Sequence, residues 1–230
     1  MLRVEDVYFA EESDPKKTVR QYFDQFKLSG FKWTNKNLVK WFVRDTPERL
    51  KNGINLEDLT HDCATAFKEW RRWSTIRFRP TPEDSEEEAD IVIQMTDKPP
   101  KTTGWTSWKA GVLAVGHYPI DSIGKIAGDI YVNSKDFIWR SWQKGKELGL
   151  AFKSIWYDFF SMILHEIGHT LGIGHSDDAK AIMAPYYKRV PKPYILAQDD
   201  KNAIIAAYGK NTNWSQKLQD RITRNKLDLK

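Results

Sequence analysis

The feature that most constrains this chain is the run from His165 to His175, which reads H-E-x-x-H-x-x-G-x-x-H. His165 and His169 are four residues apart, so a helix places both imidazoles on the same face. Two neutral imidazoles at that separation suit a tetrahedral zinc ion. Gly172 can adopt the left-handed backbone that ends a helix and turns the chain back, which brings His175 toward the same ion.

Three histidine ligands leave one coordination position for water, which predicts a catalytic site rather than a closed structural one. Glu166 lies beside the first ligand, where a helix places it within reach of that water. Five fixed residues in this spacing arise by chance on the order of once in ten thousand chains of this length. The alternative is a buried amphipathic helix whose histidines are satisfied by neighbours. A core-facing stripe is indeed present: Phe159, Ile163, Ile167 and Leu171.

Length, net charge and the distribution of residue types limit the kinds of protein that this chain can be. The chain has 230 residues, enough for one sizeable domain with its own core, and its net charge is +5. Its charges are dispersed, which is typical of a solvated surface. The sequence contains no aromatic-basic motif, so nucleic-acid binding is an unsupported alternative. No run approaches membrane-spanning length, and the N-terminus has no apolar stretch of the kind found in signal peptides.

A single cysteine, Cys63, excludes an internal disulfide. It lies in an apolar run with helical spacing, which favours a core thiol over the alternative of a metal ligand or nucleophile. The acidic loop 83–90 is rich in carboxylates that can hold Ca²⁺, but it lacks the spacing of a calcium loop and is interpreted as a solvated charge run.

The pattern along the chain predicts one domain between two polar ends. Residues 1–30 form an N-terminal extension with a short helix from Thr18 to Leu28, and residues 210–230 form a polar tail. Apolar periodicity and turn residues predict strands at 37–43, 75–79, 89–95, 111–116 and 128–133. They predict helices at 56–73 after an Asn55 cap, from about Ser154 to Leu171, and from the Asp199 or Asp200 cap through Ala207.

The zinc motif followed by the turn at 181–187, which contains Met183, resembles the metzincin zinc proteases. Three further features of the sequence are similar to those of the matrixins, the matrix-metalloproteinase type of metzincin. Ser176 follows the third histidine, Ile182-Met183-Ala184-Pro185-Tyr186-Tyr187 is similar to the matrixin M-x-P-x-Y turn, and 196–209 looks like the final matrixin helix. The resemblance covers roughly residues 31–209, which we interpret as a matrixin-like catalytic domain.

This resemblance implies an α+β, zincin-like fold: a twisted, mostly parallel five-stranded sheet with an antiparallel edge strand and three main helices. It implies that the edge strand, including Ala114 and Val115, pairs with an extended peptide substrate. Met183 would lie beneath the three imidazoles. Pro185 and Tyr187 would form a wall of the pocket for the side chain just after the cut, which predicts an apolar preference there.

The chain also departs from the matrixin pattern. Matrixins carry a second, structural zinc, but the loop 96–110 has no histidine, and Val115 and Tyr131 stand where the family has ligands. We therefore predict one zinc ion, and interpret the nearby His117 as a surface or cleft residue.

Calcium is a weaker expectation. Asp129 matches one calcium ligand of the family, whereas Asn133 and Asp136 replace a stronger acidic pair.

Many matrixins are kept latent by a propeptide cysteine that caps the zinc. This chain has no counterpart to that cysteine, because its only cysteine is Cys63. An acidic residue of the extension, such as Asp6 or Asp14, is a candidate cap for the metal instead.

The function implied is a zinc-dependent endopeptidase in which His165, His169 and His175 hold the ion and Glu166 acts as general base. The partner is a protein or peptide substrate, the enzyme is a monomer, and the family resemblance implies an extracellular location although the chain shows no signal peptide. The alternative is a catalytically inactive, metalloprotease-like binding module that keeps zinc for stability.

Overall fold

A computed structural model describes residues 25–36, 38–52, 54–141, 156–187 and 195–212. Five strands form its central sheet: β1 (Leu38–Val43), β2 (Arg77–Pro80), β3 (Ile91–Thr96), β4 (Ala114–Gly116) and β5 (Ile130–Asn133). Their order is β2-β1-β3-β5-β4. Three of the pairings are parallel, and β4 lies antiparallel to β5 at the sheet edge. The predicted α+β class and antiparallel edge strand are confirmed.

The helices are α1 (Pro47–Asn52), α2 (Leu56–Trp73), α3 (Phe159–Thr170) and α4 (Gln198–Tyr208). The last three are the main helices that the sequence predicts, and α1 is a short addition. The prediction for α2 is confirmed at its start, because Asn55 Oδ1 accepts a hydrogen bond from Asp58 N at 2.6 Å. For α4 the predicted cap is wrong: Ala197 precedes the first turn, and the Asp200 carboxylate accepts from Ala197 N at 2.7 Å.

The predicted start of α3 is also wrong. Trp156–Asp158 forms a short strand, β7, which pairs in parallel with β6 (Ile138–Arg140) in a separate two-stranded ribbon. The helix begins only at Phe159, where the Asp158 carboxylate accepts a hydrogen bond from Ser161 N at 3.0 Å. Ser154 itself lies outside the described residues.

The main core lies where α2 and α3 pack against each other beside the sheet. Cys63 and Phe67 of α2 are buried, which confirms the prediction of a core thiol, and burial raises the pKa of that thiol. The indole N–H of Trp70 donates to Leu164 O at 2.9 Å, so the two helices are joined by a buried hydrogen bond as well as by apolar contact. The predicted apolar stripe of α3 is fully buried.

A second, smaller apolar cluster lies on the opposite face of the sheet edge. Because successive strand residues point to opposite faces, Gly116 of β4 faces α3 while Val115 points away. Val115 packs there with Trp108 and Val112, and Trp105 and Tyr131 lie against them. The cluster attaches the loop that precedes β4 to the sheet.

The acidic loop 83–90 is attached to the first strand region by ion pairs. Glu86 pairs with Arg44, Glu88 with Lys40 and Asp90 with Lys36. These carboxylates therefore contact lysine and arginine side chains of the fold. The loop is not the simple solvated charge run that the sequence predicts. Among the described residues, the helices are all too short or too polar to cross a lipid bilayer.

Candidate metal centre and active site

The three histidines of the motif converge on one point. His165 and His169 lie one turn apart on α3, and His175 lies in the loop that follows the helix. One ring nitrogen from each lies within 4.8 Å of the others. The ring centroids are 4.7 to 5.3 Å apart. Among the described residues this is the one group of three or more such side chains in a metal-binding arrangement.

Backbone carbonyls fix the protonation of two of these rings. His165 Nδ1 lies 2.6 Å from Ile182 O, and His169 Nδ1 lies 2.8 Å from Ile173 O. A carbonyl oxygen only accepts, so each Nδ1 carries the proton and each Nε2 presents a lone pair. The two Nε2 atoms are 3.0 Å apart. Two facing lone pairs repel each other, and a shared cation removes that repulsion.

These donors fit a zinc ion. Tetrahedral bonds of about 2.0–2.1 Å place two nitrogen ligands roughly 3.3 Å apart, close to the separation of the two Nε2 atoms. The two histidine side chains are also buried, since His165 and His169 are 3% and 0% exposed. Three imidazoles, two of them with the second nitrogen oriented by a backbone carbonyl, are a ligand set that zinc takes in open, catalytic sites.

Gly172 makes the turn that brings His175 toward the other two histidines. Its φ of +82° is the left-handed backbone that the sequence predicts, and a Cβ there would overlap the carbonyl oxygen of Phe31. The segment around Leu28 pairs antiparallel with Ile173 just after the turn. The chain between the helix and His175 is therefore held between its own turn and a segment from near the N-terminus.

The turn that contains Met183 packs directly beneath α3. Met183 is fully buried and contacts the helix at Gly168. The Asp200 carboxylate accepts from Ile182 N at 2.8 Å and Met183 N at 3.1 Å, which fixes the turn to α4. Burial raises the pKa of Asp200 to about 6. This role of Asp200 was missed, because the sequence marks it only as a residue of the helix start.

Glu166 is fully buried between α3 and the edge strand. Its carboxylate lies against Gly116 of β4, and a Cβ on Gly116 would be 2.8 Å from Glu166 Oε2. The structure therefore places the predicted base, the predicted ligands and the predicted edge strand at a single location. Ala114 and Val115 are buried in β4 and pair with Val132 and Tyr131.

Pro185 and Tyr187 follow the turn, where the sequence predicts a pocket wall. Tyr187 is half-buried and its hydroxyl accepts from Asp158 N at 3.0 Å, so it is tied to the start of α3. Its ring lies 5.7 Å from that of Tyr157. Residues 188–194 lie outside the described residues, as do Asp6 and Asp14, the candidate metal caps.

His117 is not the surface or cleft residue that the sequence suggested, since it is only 2% exposed. Its Nδ1 lies 3.1 Å from Asp129 O and therefore donates, while Nε2 lies 2.7 Å from Thr102 Oγ1 and accepts. Burial lowers its pKa, which favours this neutral form. His117 thus connects the loop before β4 to Asp129, the residue that precedes β5.

The positions discussed for further metals are occupied by other interactions. Val115 and Tyr131 belong to the second apolar cluster. Asn133 donates through Nδ2 to Val112 O at 2.9 Å and to Asp136 at 3.0 Å. Asp129 Oδ1 accepts from Val92 N at 2.8 Å.

Comparison with known proteins identifies the family. The matrixin family model matches residues 32–209, which is more than half of the chain. The chain belongs to the matrixin family. The same stretch contains the sheet, the three main helices and the histidine cluster, so the matched region and the candidate site coincide.

Curated relatives of this matrixin are matrix metalloproteinases. It is 31% identical to matrix metalloproteinase-18 of Xenopus laevis over 85% of the chain and 37% of that protein. It is 28% identical to human matrix metalloproteinase-25, over 81% of the chain and 31% of that protein. It is 31% identical to the macrophage metalloelastase of Oryctolagus cuniculus, over 70% of the chain and 32% of that protein. The chain thus spans about a third of the length of these relatives.

Proposed function

We propose that this matrixin is a zinc-dependent endopeptidase that hydrolyses peptide bonds in proteins. The observation that carries the proposal is the convergence of the three histidine nitrogens within 4.8 Å, beside a buried carboxylate. Family membership supports the same reaction and the same metal. The site residues proposed are His165, His169 and His175 as ligands and Glu166 as general base.

Zinc bound to the three imidazoles would polarise the scissile carbonyl and lower the pKa of a water molecule toward ~7. The Glu166 carboxylate would accept a proton from the water molecule that attacks the carbonyl carbon. It then returns the proton to the departing amine, so the base becomes the acid for the second half of the reaction. The backbone of β4 near Ala114 contributes hydrogen bonding to the oxyanion.

Substrate binding is assigned to the sheet edge and to the segment after Met183. β4 is an edge strand of the described sheet, and its side away from β5 would pair with the backbone of an extended peptide. Pro185 and Tyr187 form the wall next to the residue after the cut. Their apolar rings support a preference for an apolar side chain there, which cleavage-site profiling on a peptide library, with and without a chelator, would measure.

We propose one zinc ion per chain, a monomeric enzyme and an extracellular site of action, the last on the family resemblance alone. Calcium is not part of the proposal, because Asn133 and Asp136 are joined to each other and to the loop before β4.

Replacing Glu166 tests the function. Glu166→Ala removes the base and leaves the three ligands, so zinc content should stay at one ion per chain. We expect kcat to fall by roughly 10²–10⁴-fold, measured with a quenched peptide and with metal analysis of the same sample. The exposed Glu87 gives a matched control, and Glu87→Ala should keep full activity.

The outcome separates the two candidate functions. If the wild-type protein holds zinc but cleaves no peptide in a broad library, the chain is a zinc-stabilised binding module and the proposal fails. Retention of most activity by Glu166→Ala would refute the role of this carboxylate.

A further inference from the structure

Gly116 is the point where the edge strand touches the active-site helix. A Cβ built on it would lie 2.8 Å from Glu166 Oε2, 2.9 Å from Glu166 O and 3.4 Å from His169 Cβ. Carbon atoms do not approach oxygen this closely without strain. Any side chain at this position must therefore displace the carboxylate, the strand or both.

The backbone of Gly116 does not itself require glycine. Among the described residues the glycines with positive φ are those at 30, 104, 111, 124, 128, 172 and 209, and Gly116 is not among them. Alanine can adopt the conformation that this residue has in β4, so its effect would be purely the added methyl group. The methyl group would contact the Glu166 carboxylate, the Glu166 carbonyl oxygen and His169 Cβ, so a second substitution is needed to isolate the first contact.

We infer that Gly116 is a positioning residue for Glu166: because it has no side chain, β4 lies directly on the carboxylate and confines it at a point that also contacts His169. The inference rests on the proposed endopeptidase function and deepens it. A general base acts only when it is held at the reacting proton, and a misplacement of about 1 Å can cost on the order of 10²-fold in rate. Burial at 0% exposure leaves Glu166 little freedom to adjust.

The test is a double-mutant cycle with Gly116→Ala, Glu166→Asp and the double variant. Aspartate is one methylene shorter, so its carboxylate withdraws from the space that the new methyl group takes. The contact with the Glu166 carbonyl oxygen is present in both backgrounds and cancels in the comparison. We expect Gly116→Ala to lower kcat by at least ~10-fold in the wild-type background and by a factor at least ~3-fold smaller in the Glu166→Asp background, as contacting residues are non-additive. KM should change by less than about twofold, because the pocket wall is untouched. Rates are compared per bound zinc ion, because the new methyl group also contacts His169 Cβ.

Each outcome has a distinct meaning. An equal loss of kcat in both backgrounds, or no loss in either, overturns the positioning role while leaving the endopeptidase function intact. A wild-type protein without activity overturns the function itself. Should Gly116→Ala alone unfold, as seen by thermal denaturation, recovery of folding with Glu166→Asp supports the inference, and unfolding in both backgrounds overturns it.

Discussion

Gly168 and Met183 compete for one volume beside α3. A Cβ on Gly168 would overlap Met183 Sδ and would lie 2.9 Å from Met183 Cε and 3.0 Å from Trp70 Cζ2. The missing side chain allows the turn at Met183 to lie flat against α3. Only from that position can Ile182 O reach His165 Nδ1 at 2.6 Å and fix the ring. A glycine in the middle of a helix, normally unfavourable, is thus required by its neighbour.

The substitution Gly168→Ala should therefore destabilise the protein. Helix propensity favours alanine by about 1 kcal/mol, but inserting a methyl group into a filled core costs about 1–3 kcal/mol. We expect a net loss of up to ~2 kcal/mol, measured by chemical denaturation of the zinc-loaded protein. Gly174→Ala is the matched control, because its new Cβ would meet nothing closer than 3.5 Å. A stabilised Gly168→Ala would contradict this account.

At the scale of elements, the C-terminal end of α3 is capped by other parts of the chain. The last carbonyls of a helix have no partner within it. Here Trp33 Nε1 donates to Thr170 O at 2.9 Å and Tyr208 Oη donates to Leu171 O at 3.1 Å. Ser29 Oγ donates to Gly172 O at 3.0 Å. The turn that carries the third ligand is consequently fixed by the N-terminal segment and by α4.

Trp33→Phe tests this arrangement, because it keeps most of the ring and removes one donor. Loss of the hydrogen bond should cost about 1 kcal/mol of unfolding free energy and should weaken zinc retention against a chelator. Trp108→Phe is the control: its indole also donates to a backbone carbonyl, Thr96 O at 3.3 Å, but far along the chain from the histidines. Equal zinc retention in the two variants would argue against a role for Trp33 in holding the ligand turn.

Local patterns predicted the elements that depend on local interactions. Helix α2 and the buried stripe of α3 follow from apolar spacing. The histidine cluster follows from two histidines one helical turn apart and from a glycine that turns the chain toward the third. The ribbon of β6 and β7 was missed because each strand has three residues, too few for a period, and the pairing joins Ile138 to Trp156. The roles of Asp200, Gly116 and Gly168 were missed for the same reason, since each depends on a contact between distant segments.

At the scale of the whole described fold, several buried aspartates have raised pKa values. Burial raises the pKa of Asp62 and of Asp129 to about 7, and that of Asp158 to about 6. The nearby charge of Asp158 adds to the effect on Asp62. In the part of the chain that the structure describes, Asp62 Oδ2 and Asp158 Oδ1 are buried and accept no hydrogen bond. Ionising either group in the folded state is therefore unfavourable.

The sign of the resulting pH dependence follows from linkage. The pKa of Asp62 is about 7 in the folded protein and about 3.9 in an unfolded chain. The folded state therefore binds its proton more tightly. The contribution of Asp62 to stability is fully present below pH ~4 and is lost as the pH rises through ~7. The groups that face it do not reverse this sign: Asp58 and Asp158 raise its pKa, Ser141 only partly offsets them, and His61 is exposed with Nδ1 3.8 Å from Asp62 Oδ1.

Asp62→Asn should remove this dependence, because the amide does not ionise. Between pH 5 and pH 8 the wild-type protein should lose about 2–3 kcal/mol of unfolding free energy more than the variant does, measured by denaturation of the zinc-loaded proteins at both pH values. Zinc release at low pH affects both proteins equally and cancels in the difference. Asp84→Asn, at an exposed position, should behave as wild type. If Asp62→Asn loses as much stability as wild type between these pH values, the carboxyl group of Asp62 titrates normally and the buried pair with Asp158 is not the source of the effect.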